Sequence, residues 1–193
     1  MKTRWFASIL VLSLTTLFFT GSLFAAPAGT GTLYVSFLYN APPTAEIEPT
    51  YHTAIWLADK DGRLLKTLYV SSELSGINYM FGYACPDWVK QSNWEKTEKS
   101  VVDAVTGPTP NVGNGEMAFD LDQLGIKPGT YQLCFQVHIS DKYNVLFRGA
   151  FVAGGAKKQE IRYETLFSPS KVAGGEDLVT EVMMEFRPAE AKK

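Results

Sequence analysis

The chain has 193 residues, of which 46% are hydrophobic and 20% are charged, and this balance predicts a folded globular protein. Without Lys2 and Arg4, which belong to the export segment described next, 16 basic residues stand against 20 acidic ones, a net charge of −4. Since the chain has no basic cluster beyond short lysine pairs, we expect neither nucleic acid nor an anionic membrane surface as its partner.

Residues 1–28 are predicted to be a signal peptide. Lys2 and Arg4 make the start basic, the range Trp5–Phe24 is apolar apart from serine, threonine and one glycine, and alanines follow it. The chain is therefore expected to leave the cytoplasm and to make no direct contact with the membrane after cleavage. The apolar run is also long enough for an uncleaved membrane anchor, which stays open as an alternative.

Residues 29–188 are predicted to form a single domain, and residues 189–193 a charged, disordered tail. Along the domain, alternating apolar and polar residues predict strands that are separated by turns. Both faces of Tyr51–Ala58 are largely apolar, which is typical of an inner strand. The predicted strands are Thr32–Tyr39, Tyr51–Ala58, Arg63–Val70, Glu116–Leu121, Tyr131–Ile139, Val145–Val152, Glu160–Leu166 and Leu178–Phe186.

A short helix is predicted from Pro86 to about Ser100, because proline favours the first helical position and Asp87 lies beside the positive end of the helix. Trp88 and Trp94 are expected to cover an open edge or face of the sheet. The predicted fold class is all-β: an antiparallel immunoglobulin-like β-sandwich with one short helical insertion.

The two cysteines, Cys85 and Cys134, are candidates for a disulfide, because an exported chain folds in an oxidising compartment. The alternative is that both are free and buried. The sequence leaves the choice open, since it does not show whether the two residues come within bonding distance.

The stretch Val101–Gly113 is predicted to be a loop, since its prolines and glycine disfavour regular structure. Asp103 and Thr106 are of the types that accept hydrogen bonds from nearby backbone amides in turns. The second interpretation is that Thr109 presents a hydroxyl for modification.

No constellation indicates an enzyme: the chain has no nucleophile elbow around a serine and no phosphate-cradling loop in a strand-to-helix context. A metal site is conceivable if His52 and His138 meet across a sheet beside Cys134. Isolated strand histidines are more often structural, so this interpretation stands below the others.

Four blocks of sequence resemble a known family: Tyr51–Gly62, Leu65–Val70, Asp103–Thr109 and Pro128–Tyr131. Their order and spacing are similar to those of the bacterial periplasmic family called domain of unknown function 2271. The first hairpin followed by Pro-Gly-Thr-Tyr is also similar to the immunoglobulin-like domain of flagellar hook-capping proteins. The resemblance implies a periplasmic location and no established activity.

Members of that family occur near periplasmic flavin transferases and membrane redox proteins, and this implies such a protein as partner. Covalent flavin carriers have a motif of Asp, two residues, Ser or Thr, Gly, Ala and Thr, in which the last Thr is esterified to FMN. The chain matches it at Asp103, Thr106, Gly107 and Thr109, but has Pro108 in place of the Ala.

Three functions follow, in decreasing order of support. The first is an exported, non-enzymatic binding or accessory protein of a periplasmic redox or transport system. The second is a carrier that holds FMN covalently on Thr109, with Trp56, Trp88 or Trp94 shielding the flavin ring. The third is a metal-binding protein that uses His52, His138 and Cys134.

Overall fold

The computed structural model describes residues 29–44, 47–171 and 177–190. The predicted signal peptide and residues 191–193 of the predicted tail lie outside the described residues. Within the described ranges, no helix is long and apolar enough to cross a membrane.

The described part of the chain is built mainly of strands, with short helices grouped between the third and fourth of them. The strands are β1 (Thr32–Tyr39), β2 (His52–Ala58), β3 (Leu64–Ser71), β4 (Thr106–Gly107), β5 (Gly113–Asp120), β6 (Gly129–Ser140), β7 (Tyr143–Ala153), β8 (Gln159–Glu160), β9 (Tyr163–Ser168) and β10 (Val179–Arg187). The helices are α1 (Ser72–Gly76), α2 (Pro86–Ser92) and α3 (Lys99–Val105), with 3₁₀ turns at Asn78–Phe81 and Trp94–Lys96.

The strands form two sheets that pack face to face. One sheet has the order β5-β1-β10-β8 and the other the order β4-β3-β2-β6-β7-β9. Neighbouring strands are antiparallel except for β3 and β4, which are parallel. The all-β sandwich with a helical insertion is therefore confirmed, while its immunoglobulin-like type stays a prediction.

The main core lies between the two sheets and is supplied by alternate residues of their strands. In β1 the side chains that alternate inward, from Leu33 to Tyr39, are buried, as predicted from the sequence. Leu133, Phe135 and Val137 of β6 face them from the other sheet. In β1, amphipathic alternation therefore places the strand correctly, because only one face of it is covered.

Strand β2 is buried on both faces, which confirms the prediction of an inner strand. Its Ile55 and Leu57 belong to the main core, and Trp56 belongs to a second apolar cluster on the outer face of the six-stranded sheet. Trp88 and Trp94 complete that cluster and cover the sheet, as expected. The helices therefore serve as a third layer over one sheet.

The helical segment, residues 72–105, is longer and more broken than predicted, and we call it the helical insertion. Helix α2 ends at Ser92 because Asn93 takes a left-handed conformation with φ of 48°. Residues 101–105, predicted to be loop, form the end of α3, in which the amides of Val101 and Val102 both bond to the carbonyl of Glu98.

The predicted strand Glu160–Leu166 is divided between the two sheets. Glu160 ends β8 in the four-stranded sheet, whereas β9 in the six-stranded sheet begins at Tyr163. Ile161 is buried between them and its amide bonds to the carbonyl of Met184. Because Ile161 is apolar and buried where the chain passes from one sheet to the other, the alternation of apolar and polar residues continues through this point. The change of sheet therefore leaves no sign in the sequence.

Candidate functional site

Thr109 lies on the segment between β4 and β5, where its side chain is half-buried. Its Oγ1 accepts a hydrogen bond from the backbone N–H of Glu73 at 3.1 Å and lies 3.4 Å from Oγ of Ser72. The hydroxyl therefore satisfies an amide in the first turn of α1, which has no side-chain cap of its own. Thr109 is a tertiary cap for this short helix, and its oxygen remains at the surface.

The residues before Thr109 are fixed against β3. Thr106 and Gly107 pair in parallel with Val70 and Ser71, and Oγ1 of Thr106 lies 3.0 Å from Oγ of Ser75. A Cβ on Gly107 would come within 2.5 Å of the Tyr69 ring, so only glycine fits there without a shift. The prediction of irregular structure at Thr106 and Gly107 was wrong, because the open edge of β3 pairs with them.

Asp103 is separated from these residues by its place in α3. Both of its carboxylate oxygens accept from Nζ of Lys99 at 2.7 Å, one helical turn earlier. The predicted turn role of Asp103 was therefore wrong, since its partner is a side chain on the same helix. Of the four motif residues, the structure brings together Thr106, Gly107 and Thr109.

His52 and His138 stand opposite each other on β2 and β6. Their rings are stacked with centroids 5.6 Å apart and an angle of 16° between the planes. The two histidines therefore meet across the sheet, which is the condition that the metal-site hypothesis required. Nε2 of His52 lies 3.1 Å from the carboxylate of Glu73, the residue whose amide binds Thr109.

Both ring nitrogens of His138 have partners. Nδ1 lies 2.7 Å from Oγ1 of Thr50, and Nε2 lies 2.7 Å from the carbonyl oxygen of Asp141, to which it donates. Burial lowers the pKa of His138, and the neighbouring His52 lowers it further. His138 is therefore a neutral, hydrogen-bonded structural residue near neutral pH.

These side chains do not assemble a metal site. In the described ranges no group of three or more histidine, cysteine, aspartate or glutamate side chains is arranged to hold an ion. Cys134 lies four residues from His138 along β6, and burial raises the pKa of its free thiol to about 12. The metal-binding hypothesis with His52, His138 and Cys134 gains no support.

The two cysteines are free thiols and both are buried, which is the second of the two alternatives left open by the sequence; the candidate disulfide is not formed in the structure. Sγ of Cys85 donates to the carbonyls of His52 at 3.4 Å and Gln136 at 3.6 Å. Gln136 lies two residues along β6 from Cys134, a spacing of roughly 7 Å in a strand. Cys85 therefore packs over the sheet near Gln136 and not over Cys134.

The tryptophans proposed to shield a flavin ring are mostly inaccessible. Trp56 and Trp88 are fully buried, and Nε1 of Trp88 donates to Oγ1 of Thr67 at 3.0 Å. Trp94 packs against Trp88 with ring centroids 5.0 Å apart and the ring planes tilted by 57°. It reaches a surface cavity of about 400 Å³ together with Tyr79 and Met80. Trp94 lines this cavity, whereas Trp56 and Trp88 do not.

A surface feature that the sequence analysis missed lies at residues 77–83, which we call the exposed apolar segment. Ile77, Met80, Phe81 and Tyr83 are between 45% and 69% exposed. Phe81 and Tyr83 stack on each other, and Tyr83 contacts the ring of His138. The sequence signal was the density of large apolar residues here without any strand or helix period.

The structure and its sites define an all-β sandwich protein with a capped threonine loop and an exposed apolar segment. The chain belongs to the family described as "Predicted periplasmic protein (DUF2271)", whose model matches residues 35–166. This match confirms the resemblance to that family and supports a periplasmic protein. No curated protein and no solved structure matches the chain.

Proposed function

We propose that this chain is an exported, non-enzymatic periplasmic protein that binds a partner protein of a redox or transport system. The observation that carries the proposal is the exposed apolar segment: Met80 alone is 69% exposed, next to Ile77, Phe81 and Tyr83. Contiguous apolar surface of this kind marks interaction sites on soluble proteins.

The charges around the segment favour a protein over a lipid surface. From Ser71 to Tyr83 the only charged residue is Glu73. Lys90 and Glu95, which are opposite in charge, line the cavity beside Met80, and the chain after the predicted signal peptide carries a net charge of −4. Segments that bind anionic membranes combine apolar residues with lysine and arginine. A partner with an apolar patch and no strong negative charge fits this surface.

The proposal is tested by purifying the mature protein from the periplasm of the bacterium that produces it naturally and identifying the proteins that co-purify with it. The variant Phe81→Asp places a charge in the segment, and Val152→Asp changes an equally exposed valine on β7 as the matched control. We expect the partner to be lost with Phe81→Asp and kept with Val152→Asp. Equal recovery of the same proteins with both variants contradicts the proposal.

The second candidate is a covalent FMN carrier modified at Thr109. Its support is the position of Oγ1 at the surface, on a loop with proline on both sides. A flavin transferase would form a phosphoester bond between this oxygen and the FMN phosphate of FAD. The pyrophosphate bond of FAD would break, AMP would leave, and the hydroxyl proton would pass to a base of the transferase. The bond from the Glu73 amide to Oγ1 must open or rearrange for this step.

The carrier function is tested by the intact mass of the protein made together with a flavin transferase. A gain equal to FMN less one water, kept in Thr109→Ser and absent from Thr109→Ala, supports it. No gain under conditions in which a known carrier is modified removes it. Neither result bears on the exposed apolar segment, so the two candidate functions are tested separately.

A further inference from the structure

Strand β5 forms an open edge of the four-stranded sheet. It pairs with β1 in an unbroken register from Gly113 opposite Tyr39 to Asp120 opposite Thr32. Among the described strands, none pairs with its other side. Edge strands are normally blunted by charged side chains, proline or a bulge. β5 has no lysine, proline or bulge, and its only charged residues are Glu116 and Asp120. Every second residue of such an edge directs its N–H and C=O outward.

An apolar groove of about 550 Å³ opens beside this edge. Its apolar wall is formed by Phe119 of β5, Leu68 of β3, Leu124 and the valines Val101 and Val105 of α3. The polar side chains that also line it are Lys66, Ser100, Asp120 and Gln123. Helix α3 has no buried residue, and Val101 faces this space half-exposed. The volume is in the range of ordinary ligand pockets.

We propose that the outer edge of β5 binds an extended segment of a partner protein as an added strand. In an added strand the backbone supplies the hydrogen bonds, and alternate side chains point to the inner side of the sheet. Those inner side chains enter the groove between β5 and α3. The proposal uses a surface distinct from the exposed apolar segment and does not depend on it.

The side chains of β5 specify the chemistry of the added strand. The outward residues Asn114, Glu116, Ala118 and Asp120 are exposed, and two of them are carboxylates. Opposite charges across a strand pair stabilise it. The segment that fits has apolar residues at its inner positions and lysine or arginine at its outer ones.

A second copy of this chain fits the edge less well. Pairing β5 with itself brings the carboxylates of Glu116 and Asp120 from two chains to one face, where like charges destabilise neighbouring strands. The occupant is therefore a strand from a different, basic segment. Self-association through β5 is an outcome of the test that would contradict this.

The probe is an octapeptide of alternating lysine and valine with blocked ends, titrated into the mature protein. Two control peptides carry N-methyl groups, one on all lysines and the other on all valines. In an added strand, alternate residues direct their N–H groups to opposite sides, so either the lysine amides or the valine amides face β5. Methylation of the amides that face β5 must abolish binding, and methylation of the other set must leave it intact. Equal binding of both overturns the proposal, because all three peptides have the same charge.

Protein variants locate the site. We expect Val101→Lys to reduce binding at least tenfold, while the exposed valine variant Val152→Lys leaves it unchanged. Glu116→Lys is expected to weaken binding about two- to fivefold, with the exposed Glu48→Lys as its control. Hydrogen exchange must slow at alternate amides of β5 when the peptide binds. Binding without that protection, or a dimer formed through β5 in the absence of peptide, contradicts the proposal.

Discussion

The helical insertion contains two regions of similar composition and opposite environment. Trp88 and Trp94 are buried against Trp56 in the second apolar cluster, while Ile77, Met80 and Phe81 stand in solvent only a few residues earlier. Both regions are rich in large apolar side chains. The difference shows that one region stabilises the fold, and the other is free to contact another molecule.

The largest expected effect belongs to the buried region. Trp88→Ala removes a fully buried ring and leaves the hydroxyl of Thr67 without its donor, so we expect a loss of about 3 to 5 kcal/mol in the free energy of unfolding. Met80→Ala should stay within about 0.5 kcal/mol of the parent protein. Urea unfolding of the two variants measures this, and equal losses would erase the contrast between the regions.

The next effect concerns Gly107, which fixes the Thr109 segment to β3. Gly107→Ala is expected to cost about 1 to 3 kcal/mol, because the new Cβ meets the Tyr69 ring at 2.5 Å. Hydrogen exchange at the Glu73 amide should also become faster, since Thr109 is displaced. The matched control is Gly62→Ala in the hairpin turn, where the Cβ meets no neighbouring atom. Any loss of unfolding free energy in Gly62→Ala is due to the positive φ of that residue, since the new Cβ has no neighbour to clash with.

A smaller effect is the pH dependence of stability that His138 causes. His138 contacts Tyr83 of the exposed apolar segment. The pKa of His138 is lower in the folded protein than in the unfolded chain, because burial disfavours the charged ring. The unfolded chain therefore binds more protons, and stability falls as pH drops below the ordinary histidine pKa of about 6.5. Stability measured from pH 7.5 to 5 should fall less in His138→Gln than in the parent; identical curves contradict the assignment.

The smallest effect is expected at the exposed end of α3. Asp103→Asn removes the ion pair with Lys99, which lies in solvent, and should change the free energy of unfolding by no more than about 0.5 kcal/mol. Thermal unfolding in low and high salt is the measurement. A larger loss would mean that Asp103 supports the Thr109 segment as well as its own helix.

Most strands could be predicted from the sequence. In β1 and β5 burial alternates from residue to residue, and β2, which is buried on both faces, is a short apolar run bounded by turn residues. Strands β4 and β8 could not be predicted, because each is only two residues long and so shows no alternation of apolar and polar residues. Each forms where the chain passes a free edge of a sheet. The end of helix α2 at Asn93 could not be predicted either. Asparagine tolerates the left-handed conformation that ends the helix, but it also occurs in ordinary helical conformation.

The candidate site was predicted in part. The meeting of His52 and His138 followed from their strands, whereas the separation of Cys85 from Cys134 depends on where the helical insertion crosses the sheet. The cap between Thr109 and the Glu73 amide depends on a contact across 36 positions of sequence. The exposure of Phe81 could not be read from composition, because buried Trp88 lies in a stretch of the same kind.

The central claim is that the exposed apolar segment contacts a partner protein in the periplasm. The most direct measurement is crosslinking in living cells, with a photoreactive amino acid placed at Phe81 and, as control, at Val152. We expect one dominant crosslinked protein from position 81, absent from position 152 and abolished by Met80→Asp in the same chain. Crosslinks that are the same from both positions, or that go only to lipid, would contradict it.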